Sequence, residues 1–232
     1  MPRWHPFKTN SELLAAAVEM ITSAATQAIS ARGKFRIVLA GGTTPRAIYE
    51  KLVEIKTDWR AWHIYFGDER CLPPHDPERN SAMADAAWLK HVSVPPEQIH
   101  VIPAELGAIK AASEYAKVLQ GVQEFDLVLL GLGEDGHTAS LFPSHEWGTE
   151  PANPPVLAVH HAPKPPAERV TLSAWRLSRA QQVIFLVSGA SKHEAVMQWR
   201  NGTAIPASAI TPVNGVDVLV DKAANQFIPR PA

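Results

Sequence analysis

An aspartate and a histidine two positions apart, Asp135 and His137, are the side chains in this sequence with the clearest chemical use. They follow an aliphatic stretch at 127–130, whose continuous hydrophobicity predicts a buried strand. Glycines after this stretch predict a loop, and the small and hydroxyl residues from Thr138 onward predict the start of a helix. A carboxylate beside an imidazole can orient the ring and stabilise its protonated form, so His137 is a predicted general base.

A second loop, Gly41-Gly42-Thr43-Thr44, separates a predicted strand at 35–40 from a predicted helix. Two glycines allow backbone N–H groups to approach an anion, and the threonine hydroxyls add further donors. The positive end of the helix dipole would face the same point. The loop therefore predicts a cradle for one phosphate group, although a Gly-Gly turn with threonine caps is the structural alternative. A nucleoside triphosphate is disfavoured because no Gly-Lys-Ser/Thr follows.

Charged side chains accompany three further predicted strands. The segment 67–70 follows a strand at Trp62–Phe66, and its Arg70 is a predicted anion ligand. Lys192 falls in the first turn of a predicted helix, where a cation opposes the helix dipole. A phosphate ligand explains this lysine better than helix stability does. Arg169, just before a strand at 170–172, is a second predicted phosphate ligand, with an exposed edge-strand charge as the alternative.

No pattern in the sequence predicts a metal or an organic cofactor. The ten histidines lack the HExxH or paired Cys/His spacing of metal sites. The run 131–136 matches GxGxxG, but it comes late in the chain and carries acidic residues where a pyrophosphate would lie. An acidic loop repels phosphate, so it predicts chemistry away from the phosphate end of a ligand. The absence of GxSxG leaves a serine hydrolase unsupported.

Predicted strands and helices alternate along the chain, which is typical of an α/β fold with a mainly parallel sheet and helices on both faces. The predicted strands are 35–40, 62–66, 99–102, 127–130, 170–172, 183–187 and 216–220, and the proline-dense segment 151–166 is expected to wrap the surface with 156–159 extended. The predicted helices run from Asn10 or Ser11 to 30, from about Pro45, and over 81–89, 108–120 and 191–200. Because carboxyl ends of parallel strands share one edge, the loops described above would meet there.

The composition limits the classes of partner. With 232 residues and a net charge of −1, the chain suits one domain over 1–232 and offers no basic field for nucleic acid or anionic membranes. Cys71 is the single cysteine, which excludes an internal disulfide and fits a reducing compartment. No signal peptide or apolar run of about 18 residues is apparent, so a soluble cytoplasmic protein is expected. The oligomeric state stays open, and a monomer is compatible with the sequence.

Five segments of the chain resemble the 6-phosphogluconolactonase family over residues 39–196. In order they are LAGGTTP, FGDERCLPPHDPERNS, GLGEDGHTASLFP, KPPAERVTLS and VSGASKHEAV. Related glucosamine-6-phosphate deaminases share the Asp-Gly-His core but typically continue with Ile-Ala-Phe-Asn-Glu, which the residues 138–143 do not match. Ser144 stands where the family commonly has glycine, a departure that leaves Asp135 and His137 untouched.

The resemblance implies a modified Rossmann-like α/β fold without metal or nucleotide cofactor. It implies hydrolysis of 6-phospho-D-glucono-1,5-lactone to 6-phosphogluconate, the second step of the oxidative pentose phosphate pathway. His137 would activate the attacking water, and Asp135 would hold the imidazole of His137. Arg70 would bind the ligand or neutralise the developing oxyanion, with Asp68 shaping the site. The residues implied to bind phosphate are Gly41, Gly42, Thr43, Arg169 and Lys192.

Two alternatives remain open at this stage. A phosphosugar isomerase or deaminase would use the same fold and a similar Asp/His loop for proton transfer at carbon, although the residues after His137 argue against it. A non-catalytic sugar-phosphate sensor would need a DNA-binding or partner module, for which the chain offers no spare segment. The complete set of Asp, His and Arg side chains also disfavours the sensor.

Overall fold

The computed structural model describes residues 2–225, and within that range it contains ten strands and seven α-helices. The strands are β1 (Arg3–Phe7), β2 (Phe35–Leu39), β3 (Trp62–Phe66), β4 (Asp68–Arg70), β5 (Ile99–His100), β6 (Phe125–Gly131), β7 (Val156–Val159), β8 (Arg169–Leu172), β9 (Ala180–Val187) and β10 (Val216–Asp221). The helices are α1 (Asn10–Arg32), α2 (Thr43–Leu52), α3 (Asn80–Ala87), α4 (Ala108–Val118), α5 (Ala174–Ser178), α6 (His193–Arg200) and α7 (Lys222–Asn225).

Seven strands form one sheet in the order β1-β10-β9-β6-β2-β3-β5, and all neighbouring strands in it are parallel. The prediction of a mainly parallel α/β sheet is confirmed. Residues 125–130 of the central strand β6 are all buried, so both faces of the sheet are covered there.

The order in which successive strands are added to this sheet reverses between β2 and β6. From β2 it proceeds to β3 and β5 on one side, then returns to β6 and continues to β9 and β10 on the other. The strands β2 and β6 are themselves neighbours, with Ile37 opposite Leu127. Ligands of open α/β sheets bind at the carboxyl edge of such a switch point. The loops that leave these two strands contain the Gly41–Thr44 segment and the Asp135–His137 pair.

A second, three-stranded antiparallel sheet in the order β4-β8-β7 corrects two predictions. The predicted loop at 67–70 contains a strand, and the predicted strand at 170–172 does not join the main sheet. Gly67 is the branch point, because its N–H donates to Leu39 O at 3.0 Å while its carbonyl accepts from Leu172 N at 2.8 Å. The small sheet places Arg70 directly opposite Arg169.

The helix predicted after His137 is absent, which is a further correction. Thr138 and Leu141 form an isolated antiparallel bridge, and Ala139 has a φ of 48°. The hydroxyl of Thr138 donates to Gly131 O at 2.8 Å, and that of Ser140 donates to Asp68 Oδ2 at 2.6 Å. These hydroxyls therefore hold the loop against its surroundings and do not cap a helix.

Helix α1 is long and apolar enough to cross a membrane by length and composition, contrary to the expectation that no apolar run of about 18 residues occurs. It begins after Thr9, whose side chain accepts from Glu12 N, and not after Asn10 or Ser11. Its buried residues recur at helical spacing and pack against the sheet. They are Leu13, Leu14, Ala17, Ile21, Ala25 and Ala28. α1 thus packs one face against the sheet.

Candidate active site

A cavity of about 460 Å³ opens at the carboxyl edge of the sheet, over the ends of β2, β3, β6 and β9. Every site residue predicted from the sequence lines it except Asp135, which contacts His137. Four cationic side chains and one carboxylate line the cavity: Arg70, Lys164, Arg169, Lys192 and Asp68. This excess of positive charge favours an anionic ligand.

The Asp135 carboxylate fixes the imidazole of His137. Asp135 Oδ1 lies 2.5 Å from His137 Nδ1 and also accepts from His137 N at 3.2 Å. A ring that donates from Nδ1 carries its free lone pair on Nε2, which is then the nitrogen able to accept a proton. Phe142 packs beside the ring, with 4.9 Å between the centroids. The ring is thus both oriented and supported.

Gly133 provides the space that the His137 ring occupies. A Cβ atom at Gly133 would lie 2.0 Å from His137 Nδ1, a distance that no real contact allows. The Gly133 N–H also donates to His137 O at 2.7 Å, which closes the loop. The glycine in this GxGxxG-like run therefore serves the placement of His137.

Burial lowers the pKa of His137 below its ordinary value of 6.5, although the hydrogen bond and charge of Asp135 act to raise it. Burial also acts to raise the pKa of Asp135, but the hydrogen bond and charge of His137 outweigh it and the net shift is downward. At neutral pH the pair therefore consists of a carboxylate and a neutral imidazole. This is the protonation state that a general base requires.

The pH dependence of the reaction follows from the sign of this shift. A base works only when it is unprotonated, so we expect kcat/KM to fall on the acidic side of a pKa below 6.5. In Asp135→Asn the charge that raises the pKa of His137 is lost, and the acidic limb moves to still lower pH. Values of kcat/KM measured from pH 4 to 8 would test this. An apparent pKa above 6.5 for the acidic limb of the unmodified enzyme would contradict it, as would a higher apparent pKa in Asp135→Asn.

Asp68 is buried beside the His137 loop and is held by two side chains that sequence analysis missed. Ser140 donates to Asp68 Oδ2 at 2.6 Å, and Asn80 Nδ2 donates to Asp68 Oδ1 at 3.0 Å. Burial raises the pKa of Asp68, while the Ser140 hydrogen bond and the charge of Arg169 act in the opposite direction. Asn80 also packs on Gly41, where a Cβ would lie 1.9 Å from its Oδ1. Asn80 therefore links Asp68 to the glycine loop.

The Arg70 guanidinium lines the cavity and has one N–H group without a hydrogen-bond partner in the described part of the chain. Its Nη1 donates to Glu78 O at 2.8 Å, and Glu78 Oε2 lies 3.7 Å from the same nitrogen. Its Nε is buried and has no hydrogen-bond partner among residues 2–225. Because a buried donor without a partner is costly, an anionic ligand at this point would relieve that cost.

Arg169 is buried, contrary to the alternative of an exposed edge-strand charge, and it anchors the segment that carries Lys164. Its Nε donates to Pro166 O at 3.1 Å, and its Nη2 donates to the carbonyls of Pro165 at 2.8 Å and Lys164 at 3.1 Å. Burial lowers the pKa of Arg169, while the charge of Asp68 acts to raise it. Lys164 is a cavity residue that sequence analysis missed, although it lies in the KPPAER segment that carries the family resemblance.

The amino end of α2 points unpaired N–H groups at the cavity. Gly42 precedes this helix with a φ of 108°, and no side chain caps it. Pro45 stands in the first turn, as predicted, and has no N–H of its own. The N–H groups of Thr43 and Thr44 are therefore among the four that a helix start leaves without an intrahelical partner, and such groups bind anions.

Lys192 lies just before α6 and not in its first turn as predicted, because a short 3₁₀ turn at Ala190–Lys192 precedes the helix. Burial lowers its pKa, Glu134 and Asp135 act to raise it, and Lys164 lowers it. The acidic loop is thus close enough to act on Lys192, so the predicted separation between phosphate-binding residues and acidic loop is smaller than expected. No group of three or more potential metal-binding side chains occurs within residues 2–225.

A hydrogen-bonded imidazole in a cavity with excess positive charge, at the switch point of a parallel sheet, is the arrangement expected of an α/β enzyme with an anionic substrate. A family profile described as glucosamine-6-phosphate isomerases/6-phosphogluconolactonase matches residues 8–219, and the chain belongs to this family. A 6-phosphogluconolactonase of Nostoc sp. is 35% identical to it over 225 residues, which cover 91% of this chain and 92% of that protein. The 6-phosphogluconolactonase of Mycobacterium tuberculosis is 34% identical, covering 96% and 97% of the two chains.

Solved structures agree on the fold. The 6-phosphogluconolactonase of Thermotoga maritima superposes with a TM-score of 0.88 at 27% identity, covering 96% of this chain and 100% of that one. A monomeric glucosamine-6-phosphate deaminase superposes with a TM-score of 0.83 at 20% identity, covering 96% and 98%. The deaminase likeness concerns the fold alone, so the chemistry must be decided by the site.

Proposed function

We infer that this chain is a 6-phosphogluconolactonase, which hydrolyses 6-phospho-D-glucono-1,5-lactone to 6-phosphogluconate in the pentose phosphate pathway. The single observation that carries this function is the neutral His137, held by Asp135, at the wall of a cavity with excess positive charge. Relatives of nearly the same length that are named 6-phosphogluconolactonase support the same activity.

The proposed reaction begins with water held by Nε2 of His137. The imidazole takes a proton from the water as its oxygen attacks the lactone carbonyl, and Asp135 stabilises the imidazolium. The carbonyl π electrons move to oxygen, and Arg70 donates to the resulting oxyanion. When the carbonyl re-forms, the bond to the ring oxygen breaks and His137 returns the proton to that oxygen. No covalent intermediate is needed, because a δ-lactone is already an activated ester.

The phosphate of the substrate is proposed to bind at the amino end of α2. Its oxygens would accept from the N–H groups of Thr43 and Thr44 and from the hydroxyls of the same residues. Lys192 and Arg169 would supply charge, with Lys164 at the rim. The Gly41-Gly42 backbone allows close approach. Anchoring the far end of the substrate holds the carbonyl beside His137, which converts binding energy into orientation of the reacting groups.

The proposal also covers the setting of the enzyme. The chain acts as a single domain over residues 1–232 in the cytoplasm, without metal or organic cofactor. Its partner is the small phosphorylated sugar lactone, with neither nucleic acid nor membrane involved. A net charge of −1 and a single cysteine support this setting.

A lactonase assay on freshly made substrate, corrected for spontaneous hydrolysis, tests the function directly. Acid released from the lactone in proportion to enzyme concentration is the expected result. Glucosamine 6-phosphate in a parallel assay should yield no ammonia. Ammonia release without lactone hydrolysis would move the chain to the deaminase branch of its family.

Replacing Lys192 by alanine should mainly raise KM, because the lysine is proposed to contact the phosphate and not the reacting carbonyl. A charge-assisted hydrogen bond is worth about 1.5–3 kcal/mol, so KM and the inhibition constant of 6-phosphogluconate should rise roughly 10-fold or more. Lys56→Ala removes the same charge at an exposed position outside the cavity and should change neither value. Unchanged constants in Lys192→Ala would assign Lys192 to the protein surface.

A further inference from the structure

Three arginine side chains are buried within residues 2–225, and they differ in how their charge is balanced. Arg79 lies between two carboxylates, with its Nη1 2.9 Å from Glu105 and its Nε 3.5 Å from Glu69. Arg169 and Arg176 donate to backbone carbonyls instead, and neither has a carboxylate within salt-bridge distance in this part of the chain. Arg169 lines the cavity proposed for the phosphorylated substrate, so an anionic ligand would balance it. Arg176 has no such explanation.

Backbone carbonyls and an aromatic ring surround the guanidinium of Arg176, and no carboxylate within residues 2–225 forms an ion pair with it. Its Nη2 donates to Val122 O at 2.9 Å, its Nη1 lies 3.5 Å from Arg179 O, and its guanidinium stacks on Phe125 at 3.9 Å. Burial lowers the pKa of Arg176 to about 10, and the charge of Arg179 acts in the same direction.

The other charged groups near Arg176 do not neutralise it. The phenols of Tyr115 and Tyr65 act to raise the pKa of Arg176, and the charge of Arg36 acts to lower it. Burial raises the pKa of both phenols, so they are neutral at neutral pH and carry no charge that could pair with Arg176. The nearby carboxylate of Glu124 is engaged by Arg179 at 3.5 Å and by Gln181 at 2.6 Å. A buried cation is costly unless it is paired, so the position is suited to an external anion.

Arg176 lines a second cavity of about 350 Å³, which is large enough for a small organic molecule. Most of the wall is apolar and is formed by Ala116, Leu119, Val122, Pro155 and Trp175. A phosphate dianion would lose much of its hydration against such a wall, and a single buried guanidinium would not compensate for that loss. A carboxylate on an apolar body fits better, because the body replaces water at the wall while the two oxygens face the guanidinium.

This cavity is separate from the catalytic cavity. It lies beside the first residues of β6 and β9, at the amino edge of the sheet, whereas His137 follows the carboxyl end of β6. A strand of seven residues such as β6 spans about 20 Å. A molecule in one cavity therefore cannot contact a molecule in the other.

We propose that this cavity, which we name the Arg176 cavity, binds a small organic monocarboxylate. The carboxylate pairs with the guanidinium of Arg176, and an aromatic or aliphatic body packs against the indole of Trp175. Arg179 stays at the exposed rim, where it lies 5.6 Å from the same indole and contributes little.

Calorimetric titration of the full chain with phenylacetate tests the proposal, with the catalytic cavity first saturated with 6-phosphogluconate. We expect one phenylacetate per chain and binding at least about 10-fold weaker for the neutral phenylacetamide, since a charge-assisted pair is lost. Arg176→Gln should weaken phenylacetate binding by a similar factor. Arg179→Gln, which removes an exposed charge at the rim of the cavity, should stay within about 5-fold of the unmodified protein.

Because Arg176 is buried, Arg176→Gln can fail to fold, and circular dichroism would reveal this. Ala116→Phe then decides, since it fills the cavity with Arg176 unchanged and should abolish phenylacetate binding. Absence of phenylacetate binding at millimolar concentration overturns the proposal, as does equal binding of phenylacetamide. Phenylacetate binding that disappears when 6-phosphogluconate is present would place phenylacetate in the catalytic cavity. Stronger binding of inorganic phosphate than of phenylacetate would make the Arg176 cavity a phosphate site. Either result overturns the proposal.

Discussion

Replacing His137 by asparagine is expected to lower kcat by on the order of 10²-fold or more, because general-base catalysis is typically worth about 10²–10⁴. Asparagine is close to histidine in polarity, and its amide N–H can still donate a hydrogen bond to the carboxylate of Asp135. It cannot take a proton from water at neutral pH. The loss should therefore appear in kcat, while binding of 6-phosphogluconate at the α2 end of the cavity persists.

Steady-state kinetics with freshly made lactone and calorimetry with 6-phosphogluconate separate these two effects. His75→Asn is the matched control, since His75 is exposed and does not line the cavity, and its kcat should equal that of the unmodified enzyme. A near-normal kcat in His137→Asn would remove His137 from the mechanism. Loss of 6-phosphogluconate binding in the same variant would instead show that the substitution disturbs the loop.

Glucono-1,5-lactone without the phosphate group should be hydrolysed with a kcat/KM lower by roughly 10²-fold or more. The cavity holds donors that the phosphate would satisfy, among them the N–H groups at the start of α2 and the ammonium of Lys192. Each polar group left unpaired costs about 1–3 kcal/mol, so the loss of two such contacts suffices for this ratio. A site that hydrogen-bonds a substrate group strongly rejects the analogue that lacks it.

The two lactones should be compared side by side, together with a simple aryl ester, in the unmodified enzyme and in Lys192→Ala. The preference for the phosphorylated lactone should narrow in the variant, because one of the contacts that create it is missing. Equal kcat/KM values for the two lactones in the unmodified enzyme would reject the phosphate-anchor proposal. A preference that stays unchanged in Lys192→Ala would assign the discrimination to Arg169 and the α2 N–H groups.

Some of the site could be predicted from the sequence because the contacts involved are local. Asp135 and His137 are two residues apart, and their hydrogen bond closes within one loop. The glycines before α2 and Pro45 in its first turn predicted the helix start by residue type alone, and anion binding there stays a prediction. The strand at Trp62–Phe66 was predicted with its observed limits, since an apolar run followed by Gly67 marks both burial and its end.

Other parts depend on contacts between distant segments and could not be predicted. The short strand β4 exists because Gly67 hydrogen-bonds to both Leu39 and Leu172, and a run of charged residues gives no hint of this. Strand β1 was missed because it is an edge strand with exposed positions, stabilised by its pairing with β10 and by the ion pair of Arg3 with Asp217 at 2.8 Å. Hydrophobic periodicity reports how deeply a segment is buried and not which segment it pairs with.

The sequence by itself determined the α/β class, the family and the carboxylate–imidazole pair, and it predicted a loop for phosphate. Only the tertiary structure decided that Arg70 and Arg169 stand opposite each other, that Asn80 and Ser140 hold Asp68, and that Lys164 joins the cavity. The difference has a physical reason. A local hydrogen bond or a helix start is encoded in neighbouring residues, whereas the position of a side chain across the cavity follows from the packing of strands far apart along the chain.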